Sequence, residues 1–159
     1  MKFEILRFKE TDLEEIVNLF YETVHAVNSK DYTEEQVNAW APRDEKDSKM
    51  GAWKESLSRN TTFVANIGDK IVGFSDLRHD GYLDRLFVHK DYQGMGVAGS
   101  LVSRLEEEAM KFNLPEIDTE ASITAKPFFE RQGYIVVKEQ TVEIRGVKLT
   151  NYKMIKRLR

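Results

Sequence analysis

Leu83-Asp84-Arg85-Leu86-Phe87-Val88-His89-Lys90-Asp91-Tyr92-Gln93-Gly94-Met95-Gly96-Val97-Ala98-Gly99-Ser100-Leu101 runs from an apolar strand, through a polar loop, into a glycine-rich turn that opens a helix. Glycine lets a main chain approach a ligand closely. The first amides of a helix have no internal partner and stand at the positive end of its dipole. Such a turn suits a phosphate or diphosphate. A lone glycine there would read as an ordinary loop-to-helix turn, whereas Gly94, Gly96 and Gly99 together favour anion binding. No Lys-Ser/Thr pair follows them, which argues against a nucleoside-triphosphate loop. Gly94-x-Gly96-x-x-Gly99 matches the dinucleotide fingerprint, with Asp118 near the position of a ribose-binding acid. That fingerprint puts its glycines directly after the strand, whereas His89 to Gln93 intervene here. A dinucleotide-dependent oxidoreductase is kept as an alternative.

Working outward, Asp80-Gly81 joins Tyr82–Val88 to a preceding run, Lys70–Leu77, which Gly68-Asp69 joins to Thr61–Ile67. These β-rich runs predict an antiparallel meander. Before it, Phe3, Ile5 and Phe8 mark a first strand, and Leu13, Ile16, Val17, Phe20 and Val24 one face of a helix. Thr11 with Glu14 and Thr33 with Gln36 have capping-box spacing, the second opening a helix that Pro42 ends. Met50, Trp53 and Leu57 predict a third, short helix. Downstream, Val97, Leu101, Val102, Leu105 and Ala109 trace a long amphipathic helix stopped near Pro115. A strand at 117–121, a helical turn from Pro127 and a hairpin over Arg145-Gly146 complete the chain. The sum is an α+β fold, a mixed and mostly antiparallel sheet of about seven strands flanked by helices. One strand–helix–strand crossover makes its two strands parallel, with a right-handed connection.

The 159 residues are 41% hydrophobic and 32% charged, without a repeat or linker, as befits one globular domain over 1–159. The balance of 24 Lys+Arg against 27 Asp+Glu, with no basic block, argues against nucleic-acid or anionic-membrane capture. No apolar run approaches the roughly 20 residues of a membrane helix. Zero cysteines remove disulfides, thiolate metal sites and cysteine nucleophiles, and by elimination point to the cytoplasm.

Gln93-x-x-Gly96-x-Ala98 after Leu86-Phe87-Val88 resembles the pyrophosphate-binding motif, Arg/Gln-x-x-Gly-x-Gly/Ala, of the GNAT superfamily of N-acetyltransferases. The resemblance continues at Ala125-x-x-Phe128-Phe129-Glu130-Arg131-Gln132-Gly133-Tyr134, similar to the family's late helix, and element order matches over nearly the whole chain. It implies acetyl-CoA as donor co-substrate, transfer to a primary amine of a small molecule or peptide, direct attack in a ternary complex, and no metal. Amides of Gln93, Gly94, Met95, Gly96, Val97 and Ala98 would hold the diphosphate. Leu86, Phe87 and Val88 would pair with the pantetheine arm like an added strand, beside Phe128 and Phe129. An amide near Phe87 or Val88 would meet the oxyanion.

An ammonium cannot attack a thioester, so a base is required. Alternation places Tyr82 and Asp84 on one strand face, and Asp84 is the leading candidate; a solvated strand carboxylate is the competing reading. His25, at the end of the first helix, is the second. Tyr21, Tyr32, Trp40 and Tyr82 are candidate acceptor contacts, although aromatics are as readily core. Phe129 stands where many family members carry a tyrosine as general acid, so no acid carries over. Ser122, Thr124 and Tyr134 are the nearby hydroxyls. That substitution favours a rival reading, a non-catalytic CoA-binding or regulatory module. A homodimer is left open.

Overall fold

The computed structural model describes residues 2–158. Each turn read from the sequence closes where it was placed. Thr61–Ile67 (β2) returns as Lys70–Leu77 (β3), which returns as Tyr82–Val88 (β4), all antiparallel. Glu4–Arg7 (β1) adds to β2 at one edge. Leu13–Ala26 (α1), Glu34–Trp40 (α2) and Lys46–Arg59 (α3) lie between β1 and β2 in the chain. Val97–Lys111 (α4) crosses from β4 to Glu116–Ser122 (β5), the parallel pair. Lys126–Arg131 (α5) then leads into the hairpin of Ile135–Ile144 (β6) and Val147–Arg157 (β7). The seven-stranded sheet has the order β1-β2-β3-β4-β5-β7-β6.

Alternate residues of β2 and β3 feed two cores. Phe63, Ala65 and Val72 meet Leu101, Leu105 and Ala109 of α4. Val64, Ile71 and Phe74 meet Ile16, Phe20 and Val24 of α1. β3 is buried on both faces from Ile71 to Leu77, Ser75 and Asp76 included. Gly73 lets α4 sit close, since a Cβ there would lie 2.9 Å from Val97 Cγ1.

Two local expectations are corrected. The Thr33–Gln36 box forms as read, Gln36 N donating to Thr33 Oγ1 at 3.1 Å and Thr33 N to Gln36 Oε1 at 2.9 Å. The Thr11–Glu14 box does not. A 3-10 turn at Glu10–Asp12 precedes α1 instead, and Asp12 accepts from Lys9 N at 2.9 Å. The third helix is not short but 14 residues long, because polar residues on its outer face hide its length from an apolar count.

The helical segment docks on the hairpin through polar ties. Tyr32 Oη donates to Thr150 O at 2.7 Å and accepts from Ile123 N at 2.9 Å. Gln36 Nε2 donates to Lys148 O at 2.9 Å, and Arg145 to both Ala39 O and Glu45. Under α3, Arg85 is paired with the fully buried Asp76 and donates to Ser56 Oγ at 2.7 Å. Asn60 Nδ2 donates to Asp76 Oδ2 at 2.9 Å, while Asp76 Oδ1 has no partner.

Burial pushes the Asp76 carboxyl up to about 6, against the opposing pull of Arg85. A folded-state value above the unfolded one means that the native state holds the proton more tightly. The stability this contributes is full below the unfolded value of 3.8 and is lost as pH rises through about 6. The gap corresponds to about 3 kcal/mol. Relative to Asp76→Asn, the wild type is expected to lose stability by that order between about pH 4 and 7, measured by denaturant unfolding at a series of pH values. Parallel profiles would contradict this.

Candidate functional site

Strands β4 and β5 pair at Tyr82↔Asp118 and Leu83↔Thr119 and no further, although β4 runs on to Val88 and β5 to Ser122. The register of β3 against β4 passes from Asp76↔Arg85 to Leu77↔Leu83, so Asp84 is the extra residue of a β-bulge. The bulge bends β4 away from β5 where their pairing stops. His89 N donates to Val72 O at 2.8 Å. Antiparallel alternation then turns the main-chain groups of Phe87 toward β3 and those of Leu86 and Val88 into the gap. Val88 O is taken there by Gln93 Nε2 at 2.7 Å and Thr23 Oγ1 at 3.2 Å.

At the mouth of the gap, Gly94 and Gly96 have φ of 72° and 85°, the left-handed region that disfavours any side chain. The first bond of α4 runs from Ser100 N to Gly96 O at 3.1 Å. The amides of Val97, Ala98 and Gly99 therefore have no helical acceptor, Gly96 supplies no side-chain cap, and no acidic residue sits in the first turn. Nothing lies within 4 Å of where a Cβ on Gly94 or Gly96 would be. Open, outward amides at the positive end of a 15-residue helix fit a diphosphate.

Gap and turn open into one cleft of about 930 Å³, walled on one side by α1, α2 and α3 and on the other by α4, α5, β5 and β7. Phe20, Trp40, Lys49 and Trp53 face it from the helices, and Arg85 and Phe87 from β4. Asp84 lies on the wall with its carboxylate about one-third exposed, 3.7 Å from Arg85. Tyr82 Oη donates to Glu120 Oε1 at 2.9 Å, and Gln140 holds the other Glu120 oxygen. Burial and Glu120 push the Tyr82 phenol far above its usual value. Phe129 lines the cleft, edge-on to Phe128 and Tyr134.

A GNAT acetyltransferase domain model matches residues 28–156. The chain belongs to the GNAT acetyltransferase family. It is 38% identical over 151 residues to the uncharacterized N-acetyltransferase YafP of Escherichia coli K12, covering 95% of this chain and 93% of that one. It superposes with a TM-score of 0.91 and 30% identity on a GCN5-related N-acetyltransferase from Rhodopseudomonas palustris, over 99% of this chain and 96% of the other. It shares its fold with YncA of Salmonella typhimurium, a putative acetyltransferase solved with its cofactor acetyl-CoA (TM-score 0.71, 18% identity, 100% and 95% coverage).

Within the GNAT domain, the structure brings Asp84, Leu86, Phe87, Val88, Gln93, Gly94, Gly96, Val97, Ala98, Phe128 and Phe129 onto one cleft, with Tyr32, Trp40 and Tyr82. Three candidates lie off its wall. His25 Nε2 stands 2.8 Å from Ala41 O, tying α1 to the end of α2. Tyr21 is buried in the helical core against Phe20, and Met95 points out to solvent. Gln93 spends its side-chain Nε2 on Val88 O, leaving its main-chain N–H as the donor for a ligand. Asp118 is off the wall too, so the dinucleotide alternative loses its acid.

Of the three hydroxyls near Phe129, Tyr134 donates to Glu106 at 2.9 Å and Thr124 to Asp31 at 2.8 Å. Ser122 Oγ accepts from Ala125 N at 3.0 Å and keeps its hydrogen for the cleft. Sequence reasoning missed Lys49, Arg85 and Glu120, and read Trp53 as core or cleft wall. Helical period puts Lys49, Trp53 and Ser56 on one face of α3, and strand alternation puts Glu120 beside Ser122, so a signal existed for both groups.

Gly96→Val is expected to weaken coenzyme A binding about tenfold or more in calorimetry. It should also cost roughly 1–2 kcal/mol of stability through left-handed strain. Unchanged affinity would remove this turn from the site.

Proposed function

We propose that the chain acts as one acetyltransferase unit over residues 1–159, moving an acetyl group from acetyl-CoA to a primary amine of a small molecule or peptide. The observation that carries this is the parting of β4 and β5 after Leu83 and Thr119, which leaves strand-edge groups at Leu86 and Val88 for the amide-bearing pantetheine arm. The glycine turn beyond it takes the diphosphate. The relative solved with acetyl-CoA has the same fold.

Acetyl-CoA supplies an activated acyl carbon, and the chain supplies the rest. The amides turned into the gap meet negative charge on the acyl oxygen as the amine attacks. Asp84 removes the proton, directly or through water, because both oxygens of Glu120 are already engaged by Tyr82 and Gln140. Ser122 is the hydroxyl left to donate to the departing sulfur.

The test is thiol release from acetyl-CoA across a panel of primary amines. Asp84→Asn is expected to lower kcat by at least ~10²-fold while coenzyme affinity holds. Turnover unchanged in that variant would remove Asp84 as base. Tight coenzyme binding with no turnover for any amine would favour a non-catalytic CoA-binding module instead.

A further inference from the structure

Lys49 is placed on the cleft wall without an anionic partner. Its Nζ lies 5.0 Å above the Phe20 ring and 5.2 Å above the Trp53 ring. No ion pair or hydrogen bond among the described residues engages it. Burial pushes its ammonium below the usual value, and Arg145 and Arg85 push the same way. Glu45, the one acidic group that opposes them, is held by Arg145 at 2.5 Å. Ring faces attract a cation but accept little from its three N–H donors, which water or a ligand must satisfy.

Arg85 differs, since Asp76 and Ser56 already take its guanidinium. Of the two cations over the Trp53 ring, the free one is therefore Lys49. On the strand side of the same cleft stand two carboxylates, Asp84 and Glu120. Apolar rings, Phe20, Trp40, Trp53 and Phe87, line the same cleft, with the Arg85 guanidinium 4.5 Å and Lys49 Nζ 5.2 Å from the Trp53 ring centre. The cleft thus offers a free cation, a carboxylate and greasy walls to one ligand.

We propose that the acceptor carries a carboxylate and an apolar or aromatic body beside its amine, and that Lys49 seats the carboxylate. This rests on the acetyl-transfer reading and names its substrate class. The amine then points toward Asp84, and the body of the acceptor lies against the rings. Lys49 acts in binding and orientation.

Paired acceptors that differ only in the carboxylate test it: phenylalanine against 2-phenylethylamine, and leucine against 3-methylbutylamine. Wild type is expected to favour each amino acid by about tenfold or more in kcat/KM. Lys49→Met should erase that preference through KM for the acid, and Lys49→Arg should restore it. Calorimetry with N-acetylphenylalanine, which has the carboxylate and no free amine, supplies a reading independent of turnover. It should bind wild type and Lys49→Arg, and at least tenfold more weakly Lys49→Met. Equal use of the decarboxylated amines, or equal binding of N-acetylphenylalanine by Lys49→Met and wild type, overturns the proposal. If no amine is acetylated, the acetyl-transfer reading falls, and calorimetry still decides the carboxylate seat.

Discussion

Two neighbouring parallel strands stay paired for two residues and then part, and the rest of the molecule is organised around the main-chain groups this leaves free. An unpaired backbone amide or carbonyl away from water costs about as much as a lost hydrogen bond. The chain meets part of that cost itself: Thr119 Oγ1 donates to Leu83 O at 2.8 Å, and Gln93 and Thr23 cover Val88 O. What stays open is a strand edge inside a cleft, with main-chain groups of Leu86 and Val88 turned into the gap. The bulge at Asp84 lies where the pairing stops, and it also places a carboxylate there.

Keeping such a gap open requires rigid walls. On the α4 side the sheet contact is close enough that Gly73 cannot carry a side chain without displacing Val97. On the other side, α2 and the segment leading into it are held to the β6–β7 hairpin and the end of β5 by Tyr32, Gln36 and Arg145, each bonding a main-chain group far away in sequence. Asp76 and Arg85 anchor β3 and β4 beneath α3, at a desolvation cost that raises the carboxyl's affinity for a proton. The cleft's charges follow from these anchors. Arg85 is neutralised from below, Lys49 is not.

The fold was legible because its elements obey local rules. Asp80-Gly81 and Arg145-Gly146 close hairpins, the Thr33–Gln36 box opens a helix, and Leu101, Leu105 and Ala109 repeat at helical spacing. The glycine turn at the start of α4 was equally legible, since it is written in consecutive residues. The acceptor end was not. His25 and Tyr21 stand on the same helix as Phe20, which does face the cleft, yet a rotation of one residue, about 100° around the helix, separates wall from core. Period alone does not choose between them.

By itself, then, the sequence determined the order of the elements, the parallel crossover and the place of the glycine turn. The turns and helix starts depend on contacts between residues a few positions apart, and the crossover on the fixed handedness of a strand–helix–strand unit. Tertiary structure alone decided that β4 bulges at Asp84, that Lys49 and Arg85 share a wall with Glu120, and that only one of the two cations is paired. Those facts depend on contacts between α3, β3, β4 and β5, whose register and spacing come from packing across the whole sheet and are written in no single stretch of chain.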